Sequence, residues 1–254
     1  MSLWRSWANQ ALAALFAPAC VACQEPLAHA IDGAVCAACW ERLSRFTPPV
    51  CATCGIPLPS WRRSCLDAGR CARCRRRATV LTRQAAIGPH EGVLRSVVHA
   101  LKYDARLSTA APLAASMRVA GADLLRDAHT VVPVPLHRVR AWSRGFNQAA
   151  LLARHLGPPA YPLLARTRAT PPQVSLPAAR RHRNVREAFA ARRCIVDRVV
   201  RATSIPVADL IVVLVDDVCT TGATLDACGR ALRAVGVGEV RALTASRVVT
   251  GPRG

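Results

Sequence analysis

The sequence has no long apolar run, although 52% of its 254 residues are hydrophobic. No stretch reaches the roughly 18 consecutive apolar residues that a membrane-spanning helix requires. The amino-terminal stretch holds Arg5 and several alanines, but Asn9 and Gln10 interrupt it, which disfavours an export signal. Paired cysteines without such a signal are typical of the reducing cytoplasm, where we expect this chain. A short amphipathic helix is predicted instead, with an apolar face formed by Trp4, Trp7, Ala8, Ala11, Leu12 and Leu15.

Acidic residues, lysine and aromatic side chains are also scarce. Only 15 acidic residues stand against 35 basic ones, so the formal net charge is +20. This balance favours polyanionic partners: nucleic acid, phosphates or an anionic membrane. Every basic residue except Lys102 is arginine, a bias that genome composition also produces, so the charge alone is weak support for DNA binding. Aromatic residues make up 4% of the chain, which limits base stacking beside the later arginine-rich segment to Phe146, Tyr161 or Phe189.

Cysteine, in contrast, is abundant near the amino terminus. Nine of the twelve cysteines precede residue 75, and eight of them form four Cys-x-x-Cys pairs. Each pair can present two thiolates to one metal ion, and two pairs complete a tetrahedral zinc site without an open position. We therefore predict structural rather than catalytic zinc, with one or two ions. The simplest, sequential pairing uses Cys20, Cys23, Cys36 and Cys39 for one site, and Cys51, Cys54, Cys71 and Cys74 for the other.

This cysteine-rich module leaves alternatives open. Crossed pairing of the four motifs fits the spacing as well, and a disulfide framework is a weaker rival in a reducing compartment. Cys65 is either a substitute ligand of the second site or a free thiol. The arginines clustered in the module form either a nucleic-acid contact surface or a solvated basic linker.

Beyond residue 80 the hydrophobic pattern changes, and short apolar runs alternate with helical periodicity. This alternation predicts a doubly wound parallel α/β sheet, in which ligands bind at the carboxyl ends of the strands. We expect two domains: an amphipathic helix with a double zinc ribbon over 1–80, and the α/β domain over 81–254. The predicted strands are 83–88, 131–134, 211–215 and 240–249, and the predicted helices are 93–103, 107–126, 147–155 and 224–235.

The stretch VVLVDDVCTTGAT, residues 212–224, carries most of the functional information. A buried-strand pattern runs into Asp216 and Asp217 and then into a small, hydroxyl-rich turn at a predicted helix start. Backbone N–H groups at such a start bind anions, and Gly222 permits close backbone approach. The two carboxylates would repel a phosphate, but they suit ribose hydroxyls or Mg²⁺. A phosphate beside a diol describes a ribose 5-phosphate group.

This motif resembles the phosphoribosyl diphosphate signature of type I phosphoribosyltransferases. Three further stretches extend the resemblance: HALKYDAR at 99–106, VVPVPLHRVRAWSRGFNQAALLA at 131–153 and RTRATPPQVSLPAARRHRNVREAF at 166–189. Together with the cysteine pairs they identify the chain as a member of the ComF family, a group of phosphoribosyltransferase-like proteins linked to natural competence. The resemblance covers essentially the whole chain and implies the type I phosphoribosyltransferase fold behind the zinc-ribbon module.

The resemblance implies roles for the motif residues. Asp216 and Asp217 would hold the ribose hydroxyls and contribute to catalysis, with Asp217 as the leading candidate for a general base. We interpret Cys219 as a loop thiol and not as a nucleophile. The cradle for the 5-phosphate would consist of Cys219, Thr220, Thr221, Gly222, Ala223 and Thr224.

Two other segments complete the predicted site. The segment after the strand at 131–134 would bind the diphosphate through Leu136, His137 and Arg138, with Mg²⁺ as cofactor. Lys102 is a further candidate for the diphosphate, because lysine offers a compact charge that arginine does not; the alternative is a surface lysine. A basic lid would close over the ligand, or else contact single-stranded DNA. Its residues are Gln173, Arg180, Arg181 and Arg183.

Two functions follow from these predictions. The first is a Mg²⁺-dependent phosphoribosyltransferase with an unknown acceptor, acting in natural competence and DNA uptake. The second is a non-catalytic sensor of phosphoribosyl diphosphate that binds single-stranded DNA during transformation, with the competence helicase machinery as a partner. Nothing in the sequence indicates a region that recognises a base, so the acceptor is open.

Overall fold

The computed structural model describes residues 18–29, 33–60, 69–136, 144–167 and 188–249, together with Trp4, Ile31 and Trp142. Several predictions fall outside these residues. They concern most of the amino-terminal helix, Cys65, the diphosphate candidates His137 and Arg138, and all four lid residues, Gln173, Arg180, Arg181 and Arg183.

The predicted parallel α/β sheet is confirmed. Its strands among the described residues are β1 (Gln84–Pro89), β2 (Thr130–Pro133), β5 (Ile211–Cys219) and β6 (Glu239–Arg247). They lie in the order β1-β6-β5-β2, and every neighbouring pair is parallel. The two central strands, β5 and β6, have nine residues each and are almost entirely buried, as expected of strands covered on both faces.

Helices cover both faces of this sheet. One face of the sheet packs against the helices over 92–103, 110–120, 122–125 and 148–153, around side chains such as Val213 and Val215. The other face packs with the helices that flank β5, around Val212 and Leu214. In chain order the helices of this part are α3 (Gly92–Tyr103), α4 (Ala110–Ala120), α5 (Ala122–Leu125), α6 (Gln148–Ala153), α7 (Arg193–Thr203) and α8 (Ala223–Arg233), with single 3₁₀ turns at Leu107–Thr109 and Val207–Asp209.

The structure corrects three details of the sequence prediction. The strand predicted to end at residue 215 continues to Cys219, so that both aspartates lie within β5 and not behind it. The single helix predicted over 107–126 is divided at Gly121 into α4 and α5, since glycine is a poor helix residue. A short antiparallel pair, β3 (Leu164–Arg166) and β4 (Phe189–Ala191), was not predicted, because three-residue strands carry too little periodicity.

The cysteine-rich module contains two copies of one small design. In each copy a short antiparallel bridge encloses the first Cys-x-x-Cys turn: Ala19 with Pro26, and Val50 with Pro57. In each copy a five-residue helix then begins directly after the third cysteine. These helices are α1 (Ala37–Glu41), which follows Cys36, and α2 (Ala72–Arg76), which follows Cys71.

This module packs along β1 at the edge of the sheet. The amide of Phe46 donates to the carbonyl of Ile87 at 2.8 Å. Gly88 faces the Ser44 carbonyl so closely that an added Cβ would lie 1.8 Å from it, which requires glycine at this position. The module is therefore docked on the sheet through backbone contacts as well as side chains.

Candidate functional site

The loop between β5 and α8 brings together all the predicted phosphate-binding residues. Gly222 is the N-cap of α8, and its φ of +74° lies in the left-handed region that glycine adopts without strain. The Ala223 amide donates to the Thr221 hydroxyl at 3.4 Å. The first turn of an α-helix leaves backbone N–H groups without intrahelical partners, so this loop provides donors for an anion. The loop and the side chain of Asp216 line a cradle of about 20 Å³.

Cys219 is the last residue of β5 and is one of the residues that line the cradle. Its side chain is buried. Burial raises the pKa of Cys219, against the lowering effect of the nearby Arg247 and Arg73 charges. A protonated, buried thiol is a poor nucleophile. The geometry agrees with the interpretation of Cys219 as a structural thiol of the loop.

The two aspartates point to opposite faces of β5, as neighbouring residues of a strand do. Asp216 lies on the α8 side and lines the cradle, whereas Asp217 lies on the α3 side. The Asp217 amide donates to the Asp216 carboxylate at 2.9 Å. Asp216 thus faces the loop before α8, and Asp217 faces α3.

Asp216 has an unusual protonation equilibrium. The residue as a whole is half-buried, and its carboxyl group is surrounded by protein atoms. This burial and the charge of Asp217 raise the pKa of Asp216 to about 8, although Lys102 acts in the opposite direction. Close to neutral pH the free protein therefore holds a proton on Asp216.

Lys102 is directed into the site from the last turn of α3. Its Nζ lies 2.9 Å from Oδ1 of Asp217, and its side chain is only 19% exposed. The other carboxylate oxygen, Oδ2, is buried and has no hydrogen-bond partner among the described residues. Buried carboxylate oxygens are normally paired, so this oxygen indicates a place for a ligand hydroxyl or a cation.

A histidine and a serine support the same strand end. Nδ1 of His90 lies 2.8 Å from Oγ of Ser246, whose hydroxyl donates to the Asp217 carbonyl at 3.4 Å. Burial, followed by the charges of Lys102 and Arg95, lowers the pKa of His90. The sequence did not single out His90 or Ser246, since a lone histidine or serine carries no motif.

The segment after β2 starts at the same end of the sheet. The Val134 amide donates to the Val215 carbonyl at 2.9 Å, and Leu136 is half-buried at the end of the described part. Asn147 caps α6 by accepting from the Ala149 amide, and its own amide group donates to the Val134 carbonyl at 3.1 Å. This bond fixes where the predicted diphosphate segment begins.

Arg144 and Tyr103 form a contact that the sequence did not reveal. The Arg144 guanidinium lies 5.1 Å from the centre of the Tyr103 ring and donates to Gln148 at 2.9 Å. Tyr103 follows Lys102 directly and is 65% exposed. A cation is thereby held on the ring of the residue that follows Lys102.

The cysteines form two separate tetrads. Within each tetrad the four sulfur atoms lie within 4.8 Å of one another, and the sets are those of the sequential pairing: Cys20, Cys23, Cys36 and Cys39, and Cys51, Cys54, Cys71 and Cys74. All the described cysteines are free of disulfides. The two Cys₄ sites fit zinc ribbons, whose tetrahedral ion would be fully coordinated by protein.

Backbone amides prepare these tetrads for a metal. The Cys36 amide donates to the Cys20 sulfur at 3.4 Å, and the Cys71 amide donates to the Cys51 sulfur at 3.3 Å. The Cys54 side chain and the amides of Cys71, Cys54 and Thr53 lower the pKa of Cys51 to about 4, against the effect of burial, whereas the Cys51 side chain and burial raise the pKa of Cys54. Thiolates are the ligands that zinc requires.

Comparisons with known proteins agree with both halves of this geometry. Residues 11–75 match the double zinc ribbon domain, and residues 143–249 match the phosphoribosyl transferase domain. The fold and the site therefore define a phosphoribosyltransferase-like protein with an amino-terminal double zinc ribbon.

Similar proteins cover most of the chain. It is 28% identical to "Competence protein F" of Haemophilus influenzae, with 87% of this chain and 93% of the relative covered. It is 31% identical to "DNA utilization protein YhgH" of Escherichia coli K12, covering 81% and 86%, and 27% identical to "Competence protein ComFC" of Bacillus subtilis, covering 79% and 78%. The chain belongs to the ComF family. In the part of the chain that the structure describes, no helix has the length and apolarity to cross a membrane.

Proposed function

We propose that this protein binds phosphoribosyl diphosphate together with Mg²⁺ and acts in natural competence and DNA uptake. The observation that carries the proposal is the buried Oδ2 of Asp217, which has no partner among the described residues and lies at the same strand end as the loop of Thr220–Gly222. Oδ2 of Asp217 suits a ligand hydroxyl or a cation, and the loop suits a phosphate. The names of the relatives, which refer to competence and to DNA utilization, support the cellular setting.

In this proposal each part of the strand end meets one part of the ligand. The 5-phosphate would lie on the first turn of α8, with Thr220, Thr221 and Thr224 as hydroxyl donors. Asp216, which lines the cradle, would accept from a ribose hydroxyl, and Asp217 would do so through Oδ2. The bound ligand would thereby occupy both faces of the end of β5.

The diphosphate would lie toward α3 and the segment after β2. Lys102 already lies beside Asp217, and its ammonium group can give up the contact with Oδ1 of Asp217 and bind an oxygen of the diphosphate instead. Leu136, His137 and Arg138 remain the proposed diphosphate segment, and Gln173, Arg180, Arg181 and Arg183 the proposed lid. Carboxylates are suitable ligands for Mg²⁺, which would neutralise charge on the departing diphosphate.

If the protein is an enzyme, an acceptor attacks the anomeric carbon while the bond to the diphosphate oxygen breaks. The diphosphate leaves with the bonding electrons, and the acceptor proton passes to a base, for which Asp217 is the proposed residue. Asp216 and Lys102 would then hold the ribose and the leaving group in place. The acceptor is the part of the reaction that these residues do not define.

The second candidate is a sensor that binds single-stranded DNA without transferring the ribosyl group. A row of solvent-exposed arginines on and beside α7, namely Arg192, Arg193, Arg198 and Arg201, favours it. Such a surface binds phosphate backbones with an affinity that decreases steeply as salt rises. DNA binding that is absent or insensitive to salt would contradict this candidate.

Isothermal titration calorimetry with phosphoribosyl diphosphate and MgCl₂ tests the main proposal. The wild type should bind, and Asp216→Asn and Asp217→Asn should each weaken binding by about tenfold or more, because each removes a carboxyl group that would accept from the ligand or hold Mg²⁺. Asp197→Asn, at an exposed position on α7, is the matched control and should bind like the wild type. A wild-type protein that gives no heat with the ligand and Mg²⁺ would contradict the proposal.

A further inference from the structure

The second zinc ribbon touches the loop between β5 and α8 directly. Arg73 lies between the metal-site cysteines Cys71 and Cys74, on α2, and its guanidinium donates to the carbonyl of Thr221. Thr221 is in the middle of the loop that connects β5 to Gly222. A residue of the cysteine module therefore contacts the backbone of the proposed phosphate-binding loop.

This contact restrains the peptide group between Thr221 and Gly222. In a planar peptide the carbonyl and the following N–H point in opposite directions. The carbonyl of Thr221 accepts from Arg73, so the N–H of the same peptide, on Gly222, points to the opposite side of the peptide. By holding the carbonyl, Arg73 restricts the orientation of the whole peptide before any ligand binds.

Neighbouring contacts strengthen the connection between the ribbon and the loop. Asp226, in the first turns of α8, accepts from the Thr79 hydroxyl at 2.9 Å and from the Val80 amide at 3.2 Å. Thr79 and Val80 follow α2 in the chain. Arg73 of α2 thus contacts the loop before α8, and the segment after α2 contacts α8 itself, which limits how far the ribbon and the loop can shift against each other.

The charges at this contact have a clear physical role. Cys54 and Cys74 of the second tetrad, Thr221 and Gly222 of the loop, and Arg73 and Arg247 line one cavity of about 40 Å³. A zinc ion with four thiolates carries about two net negative charges. Such a group would repel a phosphate on the loop, and the guanidinium groups between them reduce that repulsion.

We propose that Arg73 is a positioning residue for the phosphate loop. It orients the Thr221 peptide and shields the loop from the negative charge of the second metal site. This inference rests on the proposed binding of phosphoribosyl diphosphate. The second ribbon is then a part of the ligand site, because Arg73 acts on the ligand through the backbone of the loop.

The test compares Arg73→Ala, Arg73→Lys and Arg76→Ala in the full-length, zinc-loaded protein. Arg76 is exposed on the same helix and serves as the matched control. Arg73→Ala should weaken binding of phosphoribosyl diphosphate with Mg²⁺ by about fivefold or more, while two zinc ions per chain are retained. Arg73→Lys should recover most of the affinity, since an ammonium group also donates to a carbonyl. Equal affinity of Arg73→Ala and Arg76→Ala would overturn the inference.

A second measurement separates this inference from the proposed function. Hydrogen exchange of the loop amides is measured without any ligand. Arg73→Ala should accelerate exchange in residues 219–225, and Arg76→Ala should leave it unchanged. A wild-type protein that does not bind the ligand would refute the proposed function alone, whereas unchanged loop exchange in Arg73→Ala would refute the positioning role alone.

Discussion

The ammonium group of Lys102 lies 2.9 Å from a carboxylate oxygen of Asp217, and both side chains are largely withdrawn from solvent. The lone lysine of the chain thus neutralises one of two adjacent acids at the end of the central strand. Without it Asp217 would lose its ion-pair partner. The pair fixes α3 against β5 in the absence of ligand.

Loss of this cation should be costly. We expect Lys102→Met to lower the free energy of unfolding by about 3 kcal/mol at neutral pH, because Asp217 is then buried without its partner. The double variant Lys102→Met/Asp217→Asn should recover most of that loss, since it removes both charges. Urea unfolding of the three proteins measures the effect. A single variant as stable as the wild type would show that the pair contributes nothing.

Asp216 should make stability depend on pH in a defined direction. Its pKa of about 8 in the folded protein exceeds the ordinary value of 3.8, so between these values the folded state holds the extra proton. Wild-type stability should therefore fall as the pH rises through this window and level off above it.

The matched variant for this effect is Asp216→Asn, which has no proton to lose. Its advantage in melting temperature over the wild type should grow from pH 5 to pH 8, reaching roughly 5 °C or more, and then remain constant. Melting temperatures at a series of pH values provide the measurement. An advantage that is the same at every pH would mean that Asp216 titrates normally.

Gly222 should be required by the loop for its backbone conformation. Gly222→Ala places a side chain at a φ of +74° and should reduce stability by about 1 kcal/mol. It should also weaken binding of phosphoribosyl diphosphate, because the loop must shift to relieve the strain. Gly157→Ala is the control: its φ is +108° and no atom lies near the added Cβ. That variant should lose stability but keep its affinity, and equal losses of affinity would contradict a local effect.

Each cysteine tetrad should hold one zinc ion independently. Metal analysis of the purified protein should give two zinc ions per chain, and Cys20→Ser or Cys51→Ser should reduce this to one. Loss of the ion should unfold the ribbon that contains it, as structural zinc sites contribute directly to folding. A content of one zinc ion in the wild type, or of none in either variant, would contradict two independent sites.

Sequence alone predicted the parts of the molecule that depend on local pattern. The spacing of the Cys-x-x-Cys pairs predicted metal sites, with the sequential pairing as the simplest of those it allowed, and the run from Val212 to Thr224 predicted the strand, loop and helix. The aspartates were placed after the strand, whereas they lie within it, because acidic residues seldom continue a buried strand. Their opposite directions follow from that extension of β5.

Contacts between distant segments had no sequence signal. The rarity of lysine marked Lys102 as unusual, but its partner Asp217 is set by the docking of α3 on β5. Arg73 belongs to a cluster of arginines with no feature that separates it from its neighbours. Only the packing of the second ribbon against the loop shows that it meets Thr221.

Both outer strands of the four-stranded sheet are accompanied by irregular chain. Phe46 donates to Ile87 of β1, and Val131 of β2 donates to Pro159 and accepts from Tyr161. Open strand edges are templates for association between molecules, and these segments occupy part of each edge. A fragment lacking the cysteine module would uncover β1, and we expect it to aggregate. In the full-length protein the ribbons would therefore prevent self-association through β1, in addition to contacting the proposed ligand site.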